Sequence, residues 1–358
     1  MQMQNRIRRL WPLAALLLSV LTLLFLNRLL LPKYQGRVVE GTFTEEYYRD
    51  PLPHEVLILG DCEAYENISP ITLFENYGIT AYIRGNANQL PQQSYYLLEE
   101  ALGMETPSAV LFSVSALLER MQQNETYNRM VFDGMRWSKL KWDAIRASRM
   151  PDEYMIEYLF PLLRYHDRWK DLSADDFRCF RHSPGSTHNG YYLRADVRPA
   201  GDFPTVRRLM DPFLPESSME YLDRIRISCA SRGIPLILFK APSLYPVWHD
   251  EWEQQVQEYA ARYGLPYWNC LAERDRIGID YAEDTYDGGM HMNVYGAEKV
   301  ADFMGARLTE MLALPDLRKD RTIREAYAER IARYNAEKSQ QEKEFRETGM
   351  LRKYSEES

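Results

Sequence analysis

A cysteine stands at the end of an apolar run, Leu57-Ile58-Leu59-Gly60-Asp61-Cys62-Glu63, where a strand gives way to a turn. A nucleophile held at a strand-to-helix turn is exposed at the top of a sheet, and nearby backbone N–H groups can cradle a developing oxyanion. Far along the chain, Asp284-Thr285-Tyr286-Asp287-Gly288-Gly289-Met290-His291-Met292-Asn293 precedes the last helical pattern of the same domain. It offers a histidine as base and a carboxylate to orient it. Cys62, His291 and Asp287 would then be assembled from the two ends of the domain for nucleophilic catalysis. Plainer readings exist: a cysteine at a strand end is ordinarily a small buried hydrophobe, and His291 can instead cap the helix that follows. Lys240, in Lys240-Ala241-Pro242-Ser243, follows another strand and borders the same end, where it could contact substrate. His182 and His188 could do so from a loop, although solvated loop histidines are commoner. His54, His166 and His249 give no metal-ligand spacing, and Cys179, Cys229 and Cys270 form no Cys-x-x-Cys pair, so neither a metal nor a cofactor is indicated. A disulfide between two of these cysteines stays open for a chain outside the cytoplasm.

These residues need a scaffold, and the sequence alternates strand and helix patterns to provide one. His54–Gly60, Ile79–Arg84, Ala109–Ser113, Pro235–Lys240 and Leu265–Cys270 are short apolar runs of the kind that form buried parallel strands. Helical patterns over Ser69–Tyr77, Gln92–Leu102, Glu216–Ser231, Asp250–Tyr263 and Gly296–Leu312 separate or follow them. Ser69 with Pro70 behind it makes a helix start. Repeated strand, crossover helix and parallel strand imply a three-layer α/β sheet with right-handed connections. In such sheets the site lies at the carboxyl ends of the strands, where Cys62 and Lys240 fall. A long insertion, about residues 116–215, interrupts the pattern and is rich in aromatics such as Trp137, Trp142, Trp169 and Tyr191. It predicts a helical lid or substrate-binding cap over the strand ends, the plainer alternative being aromatics that bury the insertion on the core.

At the two motifs the chain resembles the SGNH (GDSL-like) hydrolase superfamily, in particular its membrane-anchored cell-surface branch related to DltD and the alginate O-acetylation proteins. Gly60-Asp61-Cys62 resembles the family's Gly-Asp-Ser block, and the segment holding Asp287, His291, Asn293 and Gly296-Ala297 resembles its Asp-x-x-His block. The resemblance covers roughly residues 54–115 and 234–312. It implies a flavodoxin-like fold and acyl-ester chemistry through an acyl-enzyme. His291 would take and return the nucleophile's proton, Asp287 would orient the imidazole, and Gly85 would serve as the oxyanion-hole glycine. Three departures stand out. Cys62 replaces serine, which suits a thioester intermediate but equally suits a domain that has lost hydrolysis. Asp287 lies four residues before His291 rather than three, with Asp284 as a lesser substitute. Ser113-Val114-Ser115-Ala116 stands where the family carries an asparagine after the third strand, so Ser115, Asn86 or Asn88 would have to supply that donor.

The chain has 358 residues, 45% hydrophobic and 27% charged, with a net charge of −8, which excludes a disordered polymer. The charge is a sum of unlike parts. Residues 1–33 carry five basic residues and no acid, residues 34–314 carry 28 Lys and Arg against 42 Asp and Glu, and residues 315–358 carry eleven basic and ten acidic. A working part at −14 lacks the basic footprint of a nucleic-acid binder. Trp11–Leu31 holds only Arg28 as an ionised residue, enough to cross a bilayer as a helix, and Arg6, Arg8 and Arg9 ahead of it predict a cytoplasmic N-terminus. No small-x-small cleavage site ends the run, which favours an uncleaved anchor over a signal peptide. The expected organisation is an anchor over 1–33, an extracytoplasmic domain over 34–314, and a charged helical tail over 315–358. That tail carries a thin apolar stripe, Ile323, Tyr327, Ile331 and Tyr334, and reads as a solvated helix that frays or as a partner-binding helix.

Together these features predict an extracytoplasmic acyltransferase or esterase acting on O-acyl groups of a cell-envelope glycopolymer. The resemblance implies a membrane-bound O-acyltransferase as partner. The competing expectation is a non-catalytic surface protein that keeps the fold to bind glycan or scaffold an acylation complex. A strongly negative domain repels an anionic polymer, which favours neutral glycans as substrate.

Overall fold

The computed structural model describes residues 2–32, 43–118, 124–174, 176–177, 187–201, 203–205 and 208–352. Five parallel strands, β1 (Val56–Gly60), β2 (Ala81–Gly85), β3 (Ala109–Ser113), β4 (Leu236–Lys240) and β5 (Tyr267–Asn269), form one sheet in the order β2-β1-β3-β4-β5. This is the doubly wound, flavodoxin-like order, with its reversal between β1 and β3. Every strand except the short β5 is buried along its whole length, as a sheet covered on both faces requires. The elements fall within about two residues of the sequence expectation, a margin expected at element ends.

The period of two divides the strands between two cores. Ile58, Ile83, Leu111, Ile237 and Phe239 face one side, against the helices α3 (Pro70–Tyr77), α7 (Val294–Met311) and α8 (Arg321–Thr348). Leu57, Leu59, Tyr82, Phe112 and Leu238 face the other, against α4 (Pro91–Leu102), α5 (Glu216–Ser231) and α6 (Asp250–Tyr263). Each strand residue thus goes to the layer its parity dictates. Ser69 caps α3 by accepting from Thr72 N at 3.2 Å, and Pro70 takes the first helical position, as read from the sequence.

Two parts depart from expectation. Over its described residues the tail is a packed helix and not a solvated one: α8 runs along the domain, with Tyr327 and Tyr334 buried and Tyr327 stacked on Phe74. Its polar groups are used as packing groups. Arg330 holds Asp50 through two bonds of 2.7 Å, Gln341 bridges Leu193 O and Ala195 N, and Tyr334 reaches Glu298 at 3.0 Å. The turn His188–Tyr191 lies between α8 and the exposed edge of β2, where Asn189 O accepts from Ile83 N at 2.9 Å. An edge strand is thereby closed to further pairing.

The insertion divides: its described helices lie away from the histidine loop, while its segment 187–201 runs beside that loop. Its described helical part, Glu125–Phe132, Lys139–Ser148, Met155–Leu159 and Leu162–Tyr165, forms a small core of its own with Phe132, Ile145 and Tyr158. That core packs on α4, and Leu162–Tyr165 packs on the end of α1 (Gln2–Leu30). Helix α1 contains Trp11–Leu30, 20 residues of mean hydropathy 2.2, long and apolar enough to cross a membrane. The insertion is described again from Thr187 onward, so Cys179 and His182 lie outside the described residues.

Candidate active site

β1 runs straight into a four-residue helix, α2 (Cys62–Tyr65), with Asp61 as its cap and Cys62 as its first residue. The helices numbered α3 to α8 above follow it in the chain. The tight turn is made possible by Gly60, whose φ is +152° and whose place is packed so closely that a Cβ there would stand 2.6 Å from Ser113 Cβ. Gly60→Ala is therefore expected to cost about 1–3 kcal/mol for the backbone conformation alone, and more for the clash. Gly233→Ala is the matched control, since Gly233 also has positive φ but open space around it. Equal shifts in denaturation midpoint for the two variants would contradict the tight packing at the turn.

The histidine arrives on the loop before α7. Its Nδ1 donates to Asp287 Oδ2 at 2.6 Å, and Asp287 Oδ1 accepts from the backbone N–H of Met290 at 3.0 Å and of His291 itself at 2.9 Å. The extra residue between aspartate and histidine is absorbed by Gly288 and Gly289, both at positive φ (+85° and +101°). Asp284 does not compete for the imidazole, because it is buried and holds Lys299 Nζ at 2.6 Å. Asn67 fixes the loop to the nucleophile's side of the domain, accepting from Met292 N at 2.6 Å while donating to Ser243 Oγ at 3.0 Å. Cys62 and His291 stand close enough for each to shift the other's protonation, while His291 Nε2, buried, makes no hydrogen bond. Nε2 is the atom that a nucleophile's proton would reach.

Burial pushes the Cys62 thiol up to about 12, further than the neighbouring imidazole pulls it down. Burial likewise disfavours a charged His291, but the Glu66 carboxylate, Cys62 and the bond to Asp287 outweigh it and hold the imidazole well above the ordinary histidine value. Asp287 is itself kept ionised, since its bonds to His291 overcome its desolvation. Burial thus favours the neutral thiol at Cys62, and the carboxylates around His291 favour its charged form. Only the neutral imidazole can take the thiol's proton, so activity is expected to rise with pH along a limb centred above 6.5. Glu66→Gln removes one of the carboxylates facing the ring and should move that limb to lower pH. A limb left in place by the substitution would contradict this assignment of charge.

Glu66 was not legible as a site residue, although its spacing of four from Cys62 gives the signal. One helical turn brings the two to the same face. Its Oε2 lies 3.7 Å from His291 Nδ1 and also accepts from Tyr286 Oη. Arg194 lies over the Tyr286 ring at 4.2 Å and pairs with Asp196, so the segment 187–201, rather than the insertion's helices, borders the histidine loop. Its backbone joins that loop through Arg198 N to Thr285 O at 2.9 Å and Val294 N to Arg194 O at 2.7 Å.

The remaining sequence candidates are placed as follows. Gly85 ends β2 beside Gly60, and a Cβ there would meet Gly60 O at 3.1 Å. Asn86 is buried and donates to Thr44 and Gln89, leaving its Oδ1 without a partner, whereas Asn88 is half-buried at φ +49°. Lys240 is fully buried and turned inward: Nζ donates to Glu63 at 2.9 and 3.0 Å and to Ala241 O at 3.0 Å. Ser115 Oγ donates to the same Glu63 carboxylate. Both therefore support the turn from beneath instead of facing a substrate. His188 is buried between Glu337 and Tyr334 as a packing residue. Among the described residues, Cys62, Cys229 and Cys270 are free thiols.

No family model matches the sequence, and no curated protein matches it. A solved structure described as a GDSL-like lipase from Bacteroides thetaiotaomicron is similar at 10% identity and a TM-score of 0.36, over 76% of this chain and 100% of that one.

Proposed function

We propose that the chain is an acyl-ester enzyme of the SGNH type, an esterase or O-acyltransferase in which cysteine is the nucleophile. The observation that supports it is the convergence of Cys62, His291 and Asp287 at the carboxyl end of β1, with the aspartate bonded to the imidazole nitrogen remote from the reaction. In this reading the Cys62 sulfur attacks the acyl carbon of an ester while His291 Nε2 accepts the thiol proton. Collapse breaks the ester C–O bond, the proton passes to the leaving alkoxide, and a thioester remains. Water or a sugar hydroxyl then attacks that thioester, giving its own proton to Nε2, and the thiol is restored. Asp287 fixes the tautomer and balances the imidazolium. The backbone at Gly85 is the proposed oxyanion donor, with Asn86 and Asn88, which follow it in the chain, as further candidates.

Carried further, the reading places the domain outside the cytoplasm on the α1 anchor and gives it O-acyl groups of a neutral cell-envelope glycan, with an integral-membrane O-acyltransferase supplying or receiving the acyl group. The net −14 of residues 34–314 supports a neutral polymer. Incubating the full-length protein with an O-acetylated neutral glycan should release acetate or move acetyl to an added oligosaccharide. Neither product at any pH along the histidine limb would count against the enzyme.

One observation favours a second reading. His291 Nε2 makes no hydrogen bond to the Cys62 sulfur, and burial disfavours the thiolate, an arrangement with little nucleophilicity at rest. A glycan-binding surface protein on the same scaffold would tolerate that state. It predicts glycan binding unchanged in Cys62→Ala and no acylation of Cys62 by an activated ester.

A further inference from the structure

Helix α1 shows where a membrane would end. Trp11–Leu30 contains 20 residues, which at helical rise span about 30 Å, the thickness of a hydrocarbon core. Its apolar side chains are exposed as far as Phe25, but Leu29 and Leu30 are covered, at 5% and 4% exposure. What covers them is the insertion. Asn27 Oδ1 accepts from Leu162 N at 2.8 Å, and Arg168 donates to the terminal carbonyls of Leu29 and Leu30 at 3.4 and 3.3 Å. Segments bonded to the last turn of a spanning helix must lie at the level where hydrocarbon meets headgroups.

Those same segments carry apolar side chains that the described residues leave about half exposed or more. Ile156 is 49% exposed, Phe160 48%, Leu163 52% and Trp169 64%. Scattered exposed apolar residues are ordinary, but a cluster on consecutive short helices, continuous with a span, is an interaction surface. Aromatic residues at this level form the belt characteristic of membrane interfaces. The charge pattern agrees. Residues 136–170 carry eight Lys and Arg against five Asp and Glu, a local +3 in a domain of −14. A cavity of about 470 Å³ opens between α1 and this part, lined by Arg28, Arg49, Arg136 and Lys141 against the carboxylates of Glu45 and Asp133, with Glu45 paired to Arg28 and Arg49. Apolar side chains beside basic groups suit a headgroup region that contains anionic lipid.

We infer that the insertion is a second membrane-contacting element, resting residues 154–169 in the outer-leaflet interface around the exit of α1. The domain then has a fixed height and orientation on the bilayer instead of swinging on a single tether. This rests on reading α1 as an uncleaved span. The test reconstitutes the full-length protein into vesicles of phosphatidylcholine and phosphatidylglycerol containing a phospholipid with a diazirine near its headgroup, with adducts mapped by peptide mass spectrometry after photolysis. Adducts are expected on peptides covering both 11–31 and 154–169, the latter at least about tenfold above the exposed helix 250–263, as contact against non-contact should give. Labelling of 11–31 with 154–169 at the level of 250–263 would overturn the inference and leave the anchor intact. Absence of label from 11–31 as well would overturn the anchor reading on which it rests.

Discussion

Cys62→Ala and His291→Ala are each expected to lower kcat/KM for p-nitrophenyl acetate by at least about 1,000-fold, since nucleophile and base act as one unit. For the same reason the double variant should be little worse than either single one. The singles test different links. Without Cys62 no thioester forms, while without His291 the thiol, pushed up to about 12 by burial, keeps its proton. Cys229 and Cys270 are buried and offer no replacement thiol. Steady-state hydrolysis by the full-length protein in detergent reads all three variants. Undiminished rates in both single variants would exclude the proposed chemistry.

Lys240→Ala is expected to be the most destabilising single change near the site. Lys240 and Glu63 are both buried, and their pairing at 2.9 Å joins the end of β4 to the helix that carries Cys62. Removing the cation strands the Glu63 carboxylate, and breaking a buried pair in this way costs about 3–5 kcal/mol. In a chain of this size that corresponds to a fall in Tm on the order of 10 °C. Lys240→Met with Glu63→Gln removes both charges and should recover most of the loss. Thermal melts followed by circular dichroism distinguish the cases. A Tm within one or two degrees of the parent (about 0.5 kcal/mol) for Lys240→Ala would show that the pair contributes little.

The contrast between Lys240 and β1 explains what the sequence made legible. Buried parallel strands are continuous apolar runs, so all five could be read, and the turn after β1 announced itself through Gly60-Asp61-Cys62. Lys240 could not be read, because the partner that makes its burial affordable lies 177 residues away. Helix α8 was misjudged for a related reason. Its buried face is built from Tyr327, Tyr334 and Gln341, each hydrogen-bonded, so hydropathy saw a thin stripe where the fold has a packed surface. The insertion's composition revealed its aromatics, but which side of the sheet it covers depends on contacts with α1 and α4 that no local pattern encodes. Asp287, expected beside His291 on the resemblance despite its unusual spacing, bonds the imidazole because two glycines let the loop close. Glu66, the residue that ends α2, is marked only by its spacing of four from Cys62, although its carboxylate favours the charged form of His291.

If Cys62 carries the acyl group, the acyl-enzyme can be trapped. Full-length protein mixed with p-nitrophenyl acetate, quenched in acid at short times and digested, should yield one acetyl group on the peptide containing Cys62. Its rate of appearance should rise with pH along the His291 limb and collapse in His291→Ala. The account is contradicted if Cys62 remains unacetylated while ester is consumed, or if its acetylation proceeds equally fast without His291.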